Sequence, residues 1–218
     1  MFPGMVMSRH SLILFDLDGT LTDPLEGIGR SINHALEHFG YAPMALEAMG
    51  TYIGPPLEHS FRVITGTTSA EHVQALIAKY RERYGTLGYA ENVVYAGIPE
   101  ALAALHERGI RLALCTSKRA DFAERILELF GLRHYFSFIC GGESGFEKWQ
   151  LLGRLCQSGE VPADALMVGD RKFDIHAGQR NGLAVAGVLW GYGSQEELSA
   201  DQPDYLFRTP ADLLAALG

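Results

Sequence analysis

Leu12-Ile13-Leu14-Phe15-Asp16-Leu17-Asp18-Gly19-Thr20 is the stretch on which the reading of this chain turns. Four consecutive apolar residues fit a strand buried on both faces, and the run stops at two carboxylates spaced two apart. Side chains at i and i+2 of a strand leave on the same side, and Gly19 permits a sharp turn with close approach of the backbone to a ligand. Asp16 and Asp18 can therefore address one substrate atom. One carboxylate can form an acyl-phosphate while the other protonates the departing oxygen and later takes a proton from water.

Asp-x-Asp-Gly also occurs in calcium-binding loops. Such a loop needs a further ligand soon after and a closing Glu. Here Thr20-Leu21-Thr22-Asp23-Pro24 follows, and an apolar strand rather than a helix precedes. These features speak against calcium.

Three later features repeat the pattern of chemistry at the end of an apolar run. The segment 110–115 ends in Thr116-Ser117-Lys118, a lone Lys148 precedes a helical pattern, and Leu166-Met167-Val168 runs into Gly169-Asp170-Arg171-Lys172-Phe173-Asp174. In this order the chain resembles the haloacid dehalogenase superfamily of phosphohydrolases, whose four motifs match Asp16/Asp18, Thr116, Lys148 and Asp170/Asp174 over nearly the whole length. The resemblance implies that Asp16 is the nucleophile and Asp18 the general acid and base. It also implies magnesium held by the carboxylates of Asp16 and Asp170 and the backbone carbonyl of Asp18, with Asp174 ordering either the metal's water shell or Lys148. An Asp at position 18 sides with the phosphatases and phosphomutases of that superfamily, not with its dehalogenases or phosphonate-cleaving members. Two departures stand out: Arg119 follows Lys118 and Trp149 follows Lys148 where many relatives carry proline.

The residues point the same way on their own. Asp16, Asp170 and Asp174, gathered at strand ends, repel one another unless a hard divalent cation intervenes, and an all-oxygen ligand set suits magnesium. Phosphoryl transfer depends on positioning and charge neutralisation. The Thr116 hydroxyl, backbone N–H groups near Ser117 and the Lys148 ammonium supply donors for that purpose. Lys118 and Arg119 read equally well as a solvated basic turn or as substrate contacts.

Composition limits the alternatives. A chain of 218 residues accommodates one full core plus an inserted unit, and 47% hydrophobic with 20% charged residues describes a soluble globular enzyme. A formal charge of −8 without a basic, aromatic-studded stripe argues against extended nucleic acid as a partner. Cys115, Cys140 and Cys156 are an odd set without CxxC spacing and give no sign of a disulfide framework or zinc site; Cys115 and Cys140 end apolar strands and read as small buried hydrophobes. Residues 1–7 are too short for a secretory segment, with Met7 an alternative start, and no apolar run reaches membrane-spanning length. The expectation is a cytoplasmic enzyme, monomer or homodimer, acting on a small phosphorylated metabolite without a membrane partner.

The fold class expected is α/β: a Rossmann-like core with a parallel sheet flanked by helices, plus a small inserted helical cap. Helical patterns at 101–108, 122–130, 149–157 and 175–181 alternate with strands at 110–115, 136–140, 165–168 and 184–189, and sites in such sheets lie beyond the carboxyl ends of the strands. The core is assigned to 1–22 and 95–218, the cap to 23–94. Within the cap, Ile28, Ile32, Ala35, Leu36 and Phe39 form one helical stripe and Val73, Leu76, Ile77, Tyr80 and Tyr84 another. No strand is expected there, and Thr68 with Glu71 reads as a capping box. A cap excludes water and large substrates.

Weaker candidates follow. His34 and His38 are four apart on a helix but lack a third ligand, so they read as a solvated face. Gly27-Ile28-Gly29 lacks the third glycine of a dinucleotide loop, and no P-loop or GxSxG pattern is present. Gly54, Pro55, Glu58 and His59 form either a specificity loop or a plain turn before a helix. Trp190 and Tyr192, on a glycine-rich segment, either stack on a base or sugar or pack against the core. The combination of Gly54-Pro55-Pro56-Leu57, Gly169-Asp170-Arg171 and the segment 187–194 resembles the 5′-nucleotidase branch near the phosphoglycolate phosphatases. That resemblance implies a nucleoside 5′-monophosphate substrate, with phosphoglycolate as the alternative and a sugar phosphomutase as a more distant one.

Overall fold

β1 (Leu12–Phe15) is the hub of a six-stranded parallel sheet, and its four side chains are almost wholly buried. In the computed structural model, which describes residues 9–143 and 145–217, the sheet order is β5-β4-β1-β6-β7-β8. These strands are β4 (Arg111–Cys115), β5 (Phe136–Cys140), β6 (Leu166–Gly169), β7 (Ala184–Val188) and β8 (Tyr205–Phe207). The expectations for residues 1–7 lie outside the described residues. Alternation along β1 divides the core into two layers. Ile13 and Phe15 join Leu112, Leu114 and Val168 under α4 (Ile98–Glu107) and α5 (Ala120–Leu129). Leu12 and Leu14 join Ala113, Cys115 and Met167 under α6 (Lys148–Gln157) and α7 (Lys172–Arg180). A strand covered on both faces must be apolar at every position, which is why the run reads LILF rather than alternating.

β1 pairs with β4 on one side and β6 on the other. The chain therefore leaves the sheet centre in both directions, and the crevice beyond the carboxyl ends of these three strands is where α/β sheets hold ligands. Asp16, Thr116 and Asp170 each follow one of them.

Residues 25–88 build a separate helical unit. It contains α1 (Leu25–His38), a 3-10 segment at Leu46–Tyr52, α2 (Leu57–Thr65), α3 (Ala70–Arg83) and a π-turn at Tyr84–Gly88. Its own core gathers Ile28, Ile32, Leu36, Phe61, Leu76 and Ile77, with Phe122 of α5 reaching in from the sheet side. The two expected stripes are buried in it, except that Phe39 caps the end of α1 and is only partly covered.

Several details differ from the sequence reading. Two short strands, β2 (Thr22–Asp23) and β3 (Val93–Val94), pair antiparallel where the chain leaves and rejoins the sheet unit. Two residues each are too few to show an alternation. The N-cap of α3 is Ser69, whose hydroxyl accepts from the His72 N–H at 3.2 Å, one residue beyond the expected Thr68. The carboxyl-terminal elements α8 (Gln195–Ala200), β8 and α9 (Pro210–Leu217) extend the sheet past the last strand expected. Cys115 is buried, whereas Cys140 at the sheet edge is half-buried.

Candidate active site

The turn after β1 is wound tightly around one carbonyl. The Leu17 oxygen accepts from the N–H groups of Thr20, Leu21 and Thr22 at 3.2, 2.9 and 3.0 Å. Gly19 has φ +84°, and a Cβ there would fall 2.1 Å from Oδ2 of Asp170, so only glycine brings the two motifs together. Asp16 is 6% exposed. Its Oδ1 accepts from the Leu17 N–H at 2.8 Å and lies 3.1 Å from Nζ of Lys148; its Oδ2 has no hydrogen-bond partner among the described residues. Oδ2 of Asp18 lies 2.8 Å from Nζ of Lys118, while Oδ1 is buried and unpartnered among the described residues. Burial raises the Asp18 carboxyl above its usual range, against the opposing pull of Lys118.

Lys148 enters from the first turn of α6. Proline is not needed to start that helix, because the Glu147 N–H donates to Oε1 of Gln150 at 2.8 Å in a capping box. The buried Lys148 ammonium donates to Oδ1 of Asp174, whose Oδ2 accepts from the Arg171 N–H at 3.0 Å. Burial pulls Lys148 down, but Asp16 and Asp174 outweigh it and hold the ammonium above an ordinary lysine. Burial lifts the Asp174 carboxyl to about 6 even against Lys148, and lifts Asp170 well above the carboxylate range.

Ligand oxygens of Asp16, Asp170 and Asp174 all lie within 4.8 Å of one another. With all three carboxylates ionised, the single ammonium of Lys148 leaves two negative charges uncompensated, the charge of one divalent cation. The donors are all oxygen, as a hard cation requires. Asp174 already serves Lys148 and the Arg171 backbone. Asp170 accepts from the Thr20 hydroxyl at 3.2 Å and the Tyr192 N–H at 2.8 Å, bonds that fix its orientation. The cluster thus fits the divalent metal of the superfamily.

From β4 comes Thr116, buried at 2% exposure. Its N–H donates to Cys140, and its hydroxyl oxygen accepts from the Lys118 N–H at 3.2 Å, which leaves the O–H to donate elsewhere. Ser117 is exposed beside it. Lys118 is not a solvated turn residue: its side chain is 7% exposed and is held by Asp18 and by the Tyr84 hydroxyl at 2.6 Å. Arg119 takes the solvated course, paired with Asp121 at 2.9 Å on the surface.

The other specificity candidates separate in the same way. Glu58 and His59 are exposed on α2. Gly54, at φ +100°, brings the chain against the Arg171 side chain, which donates to the Ile53 carbonyl and lies 2.9 Å from Glu197. Trp190 donates to the Thr20 carbonyl at 2.9 Å, and the Tyr192 hydroxyl donates to Asp23. Both rings are tied to the protein. Among the described residues no second metal cluster includes His34 or His38. Sequence reasoning does not single out Arg171 and Tyr84 as groups at this crevice; Tyr84 falls in an apolar stripe, yet a tyrosine there carries a hydroxyl that needs a partner when buried.

A sequence model of the family described as Haloacid dehalogenase-like hydrolase matches residues 13–188. The chain belongs to this family. It is 42% identical over 201 residues to a 5′-nucleotidase of Pseudomonas aeruginosa, covering 90% of each chain. It is 41% identical over 187 residues to the tyrosine-protein kinase PtkA of Mycobacterium tuberculosis, covering 84% of this chain and 63% of that one. A phosphoglycolate phosphatase of Aquifex aeolicus is 34% identical over 215 residues, covering 93% and 94%. Among solved structures, a putative phosphatase of Clostridium difficile superposes with a TM-score of 0.86 at 36% identity, covering 96% of this chain and 99% of that one. This haloacid dehalogenase-like hydrolase is a phosphatase, a hydrolase of phosphate monoesters. Among the described residues, no helix is long and apolar enough to cross a membrane.

Proposed function

We propose that this phosphatase cleaves small phosphomonoesters, nucleoside 5′-monophosphates foremost, through an aspartyl-phosphate on Asp16, with magnesium as its metal. The observation that carries the reading is that Asp16 and Asp18 leave one turn with one carboxylate oxygen each anchored by a lysine and the other unpartnered among the described residues. Oδ2 of Asp16 attacks phosphorus, the ester P–O bond breaks, and the departing oxygen takes a proton from Asp18. Water then attacks the aspartyl-phosphate, Asp18 takes its proton, and phosphate leaves. The Thr116 hydroxyl, the backbone at Ser117 and the Lys148 ammonium bind the phosphoryl oxygens. Magnesium, held by Asp16, Asp170 and the Asp18 carbonyl with Asp174 behind them, supplies the positive charge that this acidic cluster lacks.

In this reading residues 23–94 act as a cap over the core of 1–22 and 95–218, and keep the substrate small. The similarity to a 5′-nucleotidase supports the nucleoside. Phosphoglycolate is the second reading, favoured by the buried Lys118 ammonium, a cation for the carboxylate that the glycolate leaving group carries. The enzyme acts in the cytoplasm as a monomer or homodimer.

Magnesium-dependent phosphate release across nucleoside monophosphates, phosphoglycolate and sugar phosphates tests the assignment, with Asp16→Asn as the blank. The highest kcat/KM is expected on a nucleoside monophosphate. A preference for phosphoglycolate moves the substrate to the second reading, and full activity of Asp16→Asn overturns the nucleophile.

A further inference from the structure

The helical unit reaches Asp18 through two buried side chains. Tyr84 opens the π-turn after α3, stacked on Tyr80 with ring centroids 5.3 Å apart and edge-on to Phe122 at 5.2 Å. The Tyr84 hydroxyl accepts from Nζ of Lys118 at 2.6 Å, and that ammonium also lies 2.8 Å from Oδ2 of Asp18. On the far side of the same carboxylate, Oδ1 is buried without a hydrogen-bond partner among the described residues. Leaving such an oxygen unpaired costs free energy unless a ligand completes it. With one oxygen anchored and the other free, this carboxyl group has a single oxygen with which to meet a ligand.

We propose that Tyr84 is a positioning residue for proton transfer: it holds Lys118, and Lys118 holds Oδ2 of Asp18 so that Oδ1 meets the departing oxygen. This deepens the phosphatase reading and rests on Asp18 serving as the acid. A lysine stem has four rotatable bonds, and its backbone N–H is fixed only at Thr116. Two anchors on the ammonium, one from each unit of the fold, define where it stands. The helical unit then takes part in the chemistry as well as in excluding water. The acid is correctly set only while that unit sits on the sheet.

The discriminating measurement is kcat/KM on an alkyl phosphate and on p-nitrophenyl phosphate, because this ratio reports steps up to phosphoryl transfer onto Asp16 and omits the later attack of water. An alkoxide must be protonated as it leaves; p-nitrophenolate need not be. Tyr84→Phe keeps the stacked ring and removes one hydrogen bond. It is expected to lower kcat/KM on the alkyl phosphate about fivefold, with a smaller loss on the nitrophenyl ester. Lys118→Met is expected to show the same bias more strongly. Equal losses on both substrates, or none, in Tyr84→Phe overturn the proposal. Asp18→Asn separates the two levels: if it shows the bias and Tyr84→Phe does not, the positioning role fails alone. If Asp18→Asn shows no bias, the acid assignment beneath it fails.

Discussion

The ammonium of Lys148 stands 3.1 Å from Oδ1 of Asp16, and the same nitrogen donates to Asp174. One buried cation thus ties the expected nucleophile at the end of β1 to Asp174 in the first turn of α7. Lys148→Met leaves both carboxylates without their counter-ion, and breaking a buried pair from one side costs about 3–5 kcal/mol. In the proposed mechanism Lys148 also donates to the phosphoryl oxygens, so its loss is expected to lower kcat by about 10²-fold or more. Melting temperature and steady-state kinetics on the same preparation check both halves. Loss of activity with unchanged stability would mean that Lys148 serves the substrate alone.

The acidic cluster predicts a metal response that is readable without turnover. Asp16, Asp170 and Asp174 are buried within reach of one ion, and burial holds the carboxyls of Asp170 and Asp174 high when no cation is bound. A divalent ion that binds only the folded protein stabilises it by about 2.7 kcal/mol at one hundred times its dissociation constant. Magnesium is therefore expected to raise the melting temperature of chelator-treated protein and to restore phosphate release. Asp170→Asn is expected to lose both responses. Undiminished turnover after exhaustive chelation contradicts the metal assignment.

How much was legible in the sequence follows from how local each signal is. The strands carrying Asp16, Thr116 and Asp170 are short apolar runs that end in polar motifs, and their order alone pointed to a parallel sheet with one crevice. β2 and β3 were not legible, since two-residue strands have no periodicity, and β8 is a three-residue strand placed by pairing with β7. Lys118 could not be assigned because its partners Asp18 and Tyr84 are remote in sequence. Trp190 and Tyr192 stood on glycines that suggested freedom, yet hydrogen bonds to Thr20, Asp23 and Asp170 hold them. Only the folded chain shows which polar groups have already been claimed.

Glu91 predicts a pH dependence of stability. It lies next to β3 and closes a pair of hydrogen bonds with Arg83, at 2.7 and 2.9 Å, and a third with Arg30 at 3.0 Å. The Arg83 hydrogen bond, opposed by burial, holds its carboxyl below the ordinary 4.5. The unfolded chain therefore takes up the proton first, so this contribution is present above 4.5 and is lost as pH falls through the lower folded value. Glu91→Gln is expected to cost about 1 kcal/mol at neutral pH. In denaturant titrations the penalty should shrink in acid; one independent of pH would remove the ion pair as its cause.

Arg171 predicts a division between binding and chemistry. Its backbone N–H donates to the capping carboxylate of Asp174, while its side chain leaves the cluster, donating to the Ile53 carbonyl and pairing with Glu197 at 2.9 Å. The guanidinium thereby pins the loop around Gly54 and Pro55 to the sheet unit, a contact that Gly54 permits by its φ of +100°. Lysine cannot reproduce a fork that serves a carbonyl and a carboxylate at once. Arg171→Lys leaves the Asp174 cap in place, because that bond uses the backbone, so the metal response and kcat should stay near those of the parent. The loosened loop should instead raise KM, by about tenfold if one charge-assisted hydrogen bond of about 1.4 kcal/mol is lost on closing over substrate. A fall in kcat at constant KM would place the guanidinium in the chemical step, and the loop would then have no demonstrated part in holding the substrate.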